Sequence, residues 1–187
     1  MKIKAVKWSA YILAVLALAV SISALAQDST PRRLSGTISA YSPQTGSTGP
    51  YEIRGTWTLK VKGDSGKADF SAALVMQESD GWVLTKNAGN FDPNARGAHT
   101  HHITLVDADV IQTATGFRVT GMATITANGG APPLPISPSM LTIDVTGGTE
   151  VQYSNIKLTF AAPGSNHFGT EPLPGVVRSV RRDHDED

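Results

Sequence analysis

The chain of 187 residues has no cysteine, few aromatic residues (6%) and no net charge, because sixteen Lys plus Arg balance sixteen Asp plus Glu. Each of these shortages closes off a class of function. Without cysteine there is no disulfide framework, no Cys-ligated zinc, no thiol nucleophile and no lipidated N-terminal Cys. Without a basic excess there is no electrostatic footprint for nucleic acid or for an anionic membrane surface. The chain also lacks a Gly-x-Ser-x-Gly elbow, a phosphate-binding loop, an EF-hand loop and any clear amphipathic helix. Eighteen Gly and eleven Pro are spread through it instead, and its length suits one domain.

The first segment reads as an export signal. Lys2, Lys4 and Lys7 precede a nearly pure apolar run from Tyr11 to Val20, and Ala24 and Ala26 occupy the small-residue positions of an Ala-x-Ala cleavage site. Cleavage is expected after Ala26, which makes residues 1–26 a signal peptide and the protein secreted or periplasmic, with no membrane span left after cleavage. An uncleaved anchor is the competing reading, since the charge-free stretch between Lys7 and Asp28 is long enough to span a bilayer. Loss of the three lysines leaves thirteen basic against sixteen acidic residues, a net charge of minus three. Residues 27–32 read as a flexible end, residues 33–180 as a single all-β domain, and residues 181–187 as a charged tail without periodicity.

Within the domain the hydrophobic period is two. Ile53, Gly55, Trp57, Leu59 and Val61 alternate with Glu52, Arg54, Thr56, Thr58, Lys60 and Lys62, the pattern of a strand with one buried and one wet face. Gly63-Asp-Ser-Gly66 then turns the chain, and Ala68, Phe70, Ala72, Leu74 and Met76 resume the alternation, which predicts a hairpin. Further strands are expected around Leu34–Ala40, Ile103–Val106, Phe117–Ile125, Leu141–Val145, Ile156–Phe160 and Val176–Val180. About eight or nine short strands with Gly at the corners predict an antiparallel β-barrel or β-sandwich. A barrel closes its own edges whereas a sandwich leaves edges free to pair, so the oligomeric state stays open. Two irregular stretches, Gln77–Gly97 and Ala127–Ser139, are the places where a binding site would usually sit.

The residues that stand out chemically are histidines. Three of the five fall in His99-Thr-His-His102, which leads into the strand Ile103–Val106. Strand alternation puts His99 and His101 on the face of Ile103 and Leu105, and His102 on the other. Two imidazoles spaced this way can share one zinc or copper ion, which then needs one or two more ligands from elsewhere. His167, in Asn166-His-Phe-Gly169, is the natural third. Asp69 and Glu52 are the carboxylates available as ligands or as partners that hold an imidazole tautomer. The alternative is that the histidines are hydrogen-bonded at a barrel mouth with His102 on the surface, or that one of them moves protons near neutral pH.

Other motifs weigh less. Gly63-Asp-Ser-Gly66 spells the tetrapeptide around a chymotrypsin-like nucleophile, but Lys67 follows where that family has Gly, and the segment is a turn in a chain too short for two barrels. Trp57 lies on the apolar face, and Trp82 in a long loop is a single candidate for stacking on a sugar.

Together, Trp57-x-Leu59, Gly63-Asp-Ser-Gly-Lys-Ala-Asp-Phe-Ser-Ala72, His99-Thr-His-His-Ile103, Val145-Thr-Gly-Gly148, Ser154-Asn-Ile156 and His167-Phe-Gly169 followed by Pro-Leu-Pro-Gly-Val-Val177 resemble a group of small secreted bacterial all-β proteins of unknown function. The resemblance covers nearly the whole chain after the signal. It implies a signal peptide, an all-β domain and a histidine-bearing edge, and it brings no activity with it. By strand count the domain is also similar to eight-stranded lipocalin-like and allene oxide cyclase-like barrels, a likeness of architecture that carries no function. The expected protein is a non-catalytic β-domain with a histidine-based site for a metal ion or small molecule. A metal-assisted hydrolase, a histidine acid–base enzyme and a structural or adhesive envelope protein are the alternatives.

Overall fold

The structure, a computed structural model, describes residues 31–42, 50–78, 98–128, 137–147 and 154–182. Eight antiparallel strands follow one another around a closed barrel in chain order, and the last pairs with the first. They are β1 (Arg32–Ser42), β2 (Tyr51–Val61), β3 (Lys67–Glu78), β4 (His99–Thr113), β5 (Gly116–Asn128), β6 (Ser139–Thr146), β7 (Asn155–Phe160) and β8 (Leu173–Arg182). The open choice between barrel and sandwich is thereby decided for the barrel. Closure rests on the β1–β8 pairing, in which Arg32 faces Arg182 and Leu34 faces Val180. No local pattern announces a contact between the two ends of a chain. The same pairing carries regular structure through Arg32 at one end and Arg181 and Arg182 at the other, beyond the boundaries expected for the domain, because ladder hydrogen bonds need no apolar side chain.

The alternation read from the sequence is the alternation of the walls. Ile53, Trp57, Leu59, Phe70, Leu74, Met76, Ile103, Val119, Ile143 and Leu158 all point inward and are buried. An eight-stranded barrel is just wide enough for its own side chains to fill it. Thr56, Thr58 and Lys60 on β2 and Thr124 and Thr126 on β5 are exposed on the outside. The outside also carries exposed Val106, Ile111, Met122 and Met140, so it is mixed, whereas the interior is apolar. No helix among the described residues is long and apolar enough to cross a membrane.

The two ends of the barrel are joined differently. At the hairpin end β2 and β3 are linked through a single 3₁₀ turn, Gly63–Ser65, closed by Gly66 at φ 61°, a left-handed value that favours glycine. The segment read as a turn rather than a protease nucleophile is a turn. Ala114 and Thr115 alone make the still shorter link from β4 to β5. Just inside this end Trp57 stacks on Phe70 with ring centroids 6.5 Å apart. Gly36 on β1 lets the wall come close: a Cβ there would meet the Val176 carbonyl oxygen at 1.9 Å and the Trp57 ring at 2.8 Å. One irregularity shifts the alternation of β4, where Asp107 adopts φ 52°. The inward set accordingly passes from Leu105 to Ala108 and Val110, the effect of one extra residue in a bulge.

At the opposite end the strands β1–β2, β3–β4, β5–β6 and β7–β8 are joined by connections of eight residues or more, a length that only the β6–β7 link reaches at the hairpin end. Strand β3 runs on through Gln77 and Glu78, and β5 through Ala127 and Asn128, so the expected irregular stretches begin later than the sequence suggested. Residues 79–97, with Trp82, and 129–136 lie outside the described residues, as do the signal segment 1–26 and residues 183–187, while Ser139 opens β6. The β7–β8 connection is described throughout and carries one helical turn, α1 (Ser165–Phe168).

Candidate metal centre

Strand β4 enters the barrel at this end with His99 and His101 as its first two inward residues. His101 is fully buried, His99 is 8% exposed, and His102 points outward, as strand parity requires. Ile103 follows inward and is fully buried. Each step along β4 thus moves one layer from the mouth toward the core. Opposite them, α1 carries His167 inward at 5% exposure.

The position of α1 is set by local bonds. The Ser139 hydroxyl donates to the Ala161 carbonyl at 2.8 Å and accepts the Gly164 N–H at 3.2 Å, which ties the connection to the start of β6. The Phe168 N–H donates to the Gly164 carbonyl at 2.9 Å and the Gly169 N–H to that of Ser165 at 3.0 Å, closing the turn. Phe168 is fully buried and stacks on Phe160 at 4.4 Å, so the residue after His167 anchors the turn in the core. The ring of Phe168 also meets the His101 ring edge-on at 5.0 Å.

The result is a convergence of three imidazoles. His167 Nε2 lies 2.8 Å from His101 Nε2 and 3.1 Å from His99 Nε2. One ligand nitrogen from each ring lies within 4.8 Å of the others. A neutral imidazole nitrogen carries either one hydrogen or one lone pair. A hydrogen between His167 and one partner therefore leaves the second close contact without a linear hydrogen bond. A cation accepts all three lone pairs together. Zinc held by imidazole at about 2.0–2.1 Å in tetrahedral geometry sets its nitrogen ligands roughly 3.3 Å apart, within a few tenths of an ångström of the two spacings between the rings.

The electrostatics agree with this. Burial, and then the charge His167 would carry, pushes His101 down to about 3, while burial, and then His99, pushes His167 down to about 4. Both rings are neutral at pH 7, the form that ligates metal. The Thr126 backbone opposes the shift at His101 only weakly and completes no hydrogen bond to its buried Nδ1. Tyr51, the first residue of β2, is 6% exposed and flanks the cluster, with ring centroids 5.8 Å from His99 and 5.9 Å from His167.

The structure brings the three singled-out histidines together, whereas the two carboxylates are not brought to them. Glu52 has the outward parity of β2 and pairs with Arg54. Asp69 sits near the hairpin end, about 16 Å of strand away from the residue that pairs with His101. There it bonds Lys62 at 2.7 Å and accepts the Asp107 N–H at 3.0 Å. These contacts hold its carboxyl below the ordinary range, Lys62 first and the Asp107 N–H next. Asp69 thus pins the bulge of β4. Its neighbours Ala68 and Phe70 take the inward positions, so its parity sends it out. Tyr51, Phe168 and Ser139 went unnoticed in the sequence. The signal for Tyr51 was available, because it shares the parity of Ile53 and Trp57; Ser139 left none.

No protein-family description, curated protein or solved structure matches this chain.

Proposed function

We propose that the protein is an exported β-barrel that holds one transition-metal ion, zinc or copper, between His99, His101 and His167. The observation that carries this reading is the convergence of three buried Nε2 atoms in a space where hydrogen bonding among themselves cannot satisfy them all. Imidazole donors suit zinc and copper. The export part rests on the sequence of residues 1–26, and kinship with small secreted bacterial all-β proteins belongs to the same proposal. Calorimetric titration of metal-stripped, untagged protein with Zn(II) tests the site. One ion per chain is expected, with binding lost in His101→Phe and His167→Phe variants whose circular dichroism is unchanged. Unaltered zinc affinity in both folded variants would refute the site.

The number of protein ligands favours a metal-assisted hydrolase as second reading. Three histidines leave one position open on a tetrahedral ion, as catalytic zinc requires. Ester turnover that follows metal content, and disappears with the same substitutions, would establish it; its absence in fully loaded protein would leave a binding function.

A further inference from the structure

If three histidines hold the ion, no carboxylate among the described residues pairs with them. The three donors are neutral, and every described carboxylate that makes an ion pair makes it on the outer surface. Glu52 pairs with Arg54, Asp69 and Asp107 with Lys62, Asp109 with Lys67, and Asp144 with Arg118. Among the described residues the cluster is surrounded by Tyr51, Phe168 and Phe160, with Leu74 opposite His101 and Met76 opposite His99, all buried. A dication placed there unaccompanied carries its whole charge into an apolar chamber, at a desolvation cost of several kcal/mol.

The open coordination position offers a remedy. Exposure rises from Ile103 and His101, both fully buried, to His167 at 5% and His99 at 8%, so the floor is sealed and the approach is from the mouth. The rings of Tyr51 and Phe168 stand against the cluster on two sides, which favours a small ligand over a bulky one.

We propose that the ion held by His99, His101 and His167 takes a small monoanion from solution as its fourth ligand, which makes the histidine end of the barrel a binding site for anions of the size of azide, thiocyanate or formate. The proposal rests on the metal-site reading and names the ligand of that same site. Bound in this way, the anion halves the net charge that the chamber must hold.

Cobalt(II) reports both steps separately. Untagged protein is stripped, loaded with Co(II) and assayed for metal content, then titrated with azide and with thiocyanate while the visible bands are recorded. One cobalt per chain and a saturable, one-to-one shift of the bands, with each anion displacing the other, is the expected result. Stoichiometric cobalt with bands that no anion moves would overturn the anion proposal and leave the metal site standing. Bands that ignore anions in the parent protein but change in Tyr51→Phe would overturn it in favour of a phenolate ligand. Failure to bind cobalt, zinc or copper at all would overturn the metal site and the anion proposal together.

Discussion

At the hairpin end of the barrel the interior is hydrocarbon: Trp57 stacks on Phe70 beneath tight turns, and charged residues such as Lys62, Asp69 and Asp107 pair with one another outside. At the other end β4 and the helical turn α1 together turn three imidazoles inward. Strand β4 passes through both regimes, from His99 and His101 at its start to Ala108 and Val110 beyond the bulge. The contrast separates what an eight-stranded barrel needs from what this one has added. Short hairpins and apolar alternation suffice to fill and close the wall. Burying three histidines in mutual contact adds nothing to closure and sets polar groups against one another, a local conflict of the kind that proteins keep for function.

Substitutions should pull the two ends apart. The largest effect is expected for Trp57→Ala, which empties the apolar end: about 3–5 kcal/mol of stability lost in chemical denaturation, with zinc affinity of the remaining folded protein close to the parent's. A comparable fall in affinity would show that the ends are coupled. Phe168→Ala acts at the other end. It removes the anchor of α1 and the ring against His101, so it should lower stability by about 3 kcal/mol and weaken zinc binding by roughly 10- to 100-fold, the range for residues that orient metal ligands.

Acid should act on the histidine end selectively. His101 and His167 have folded-state values near 3 and 4, below the unfolded value of about 6.5. Between those limits the unfolded chain binds more protons than the folded one. The contribution is therefore fully present above about pH 6.5 and is lost as pH falls toward 4 and 3. For each histidine the slope approaches about 1.4 kcal/mol per pH unit. Urea denaturation of metal-free protein between pH 7 and 4.5 should show that slope, and His101→Phe/His167→Phe should flatten it; equal slopes in the two proteins would contradict the burial of neutral rings. The smallest effects belong to the carboxylates. Glu52→Gln and Asp69→Asn should leave zinc affinity unchanged, and Asp69→Asn should remove no more than about 1 kcal/mol of stability, because its partners lie at the surface.

Much of this was legible before any coordinates, and what was not has a physical reason. Alternation placed His99 and His101 on the core face and His102 outside, because a strand has a fixed period of two. His167 was found through its Gly-bounded segment and the need for a third ligand. The carboxylates misled because they were chosen for chemistry rather than parity: Glu52 stands among the wet-face residues of its own strand, and Asp69 stands between Ala68 and Phe70. Barrel closure was illegible because β1 and β8 meet across almost the whole domain. Tyr51 and Phe168 became part of the site only once α1 had been folded against the mouth of the barrel.

The proposal stands or falls with His99, His101 and His167 together holding one metal ion. Anomalous diffraction from crystals of untagged protein grown with stoichiometric zinc tests it most directly. A single strong peak is expected between the three Nε2 atoms, about 2.0–2.1 Å from each. A cluster free of anomalous density, with zinc instead at His102 or elsewhere on the surface, would contradict it.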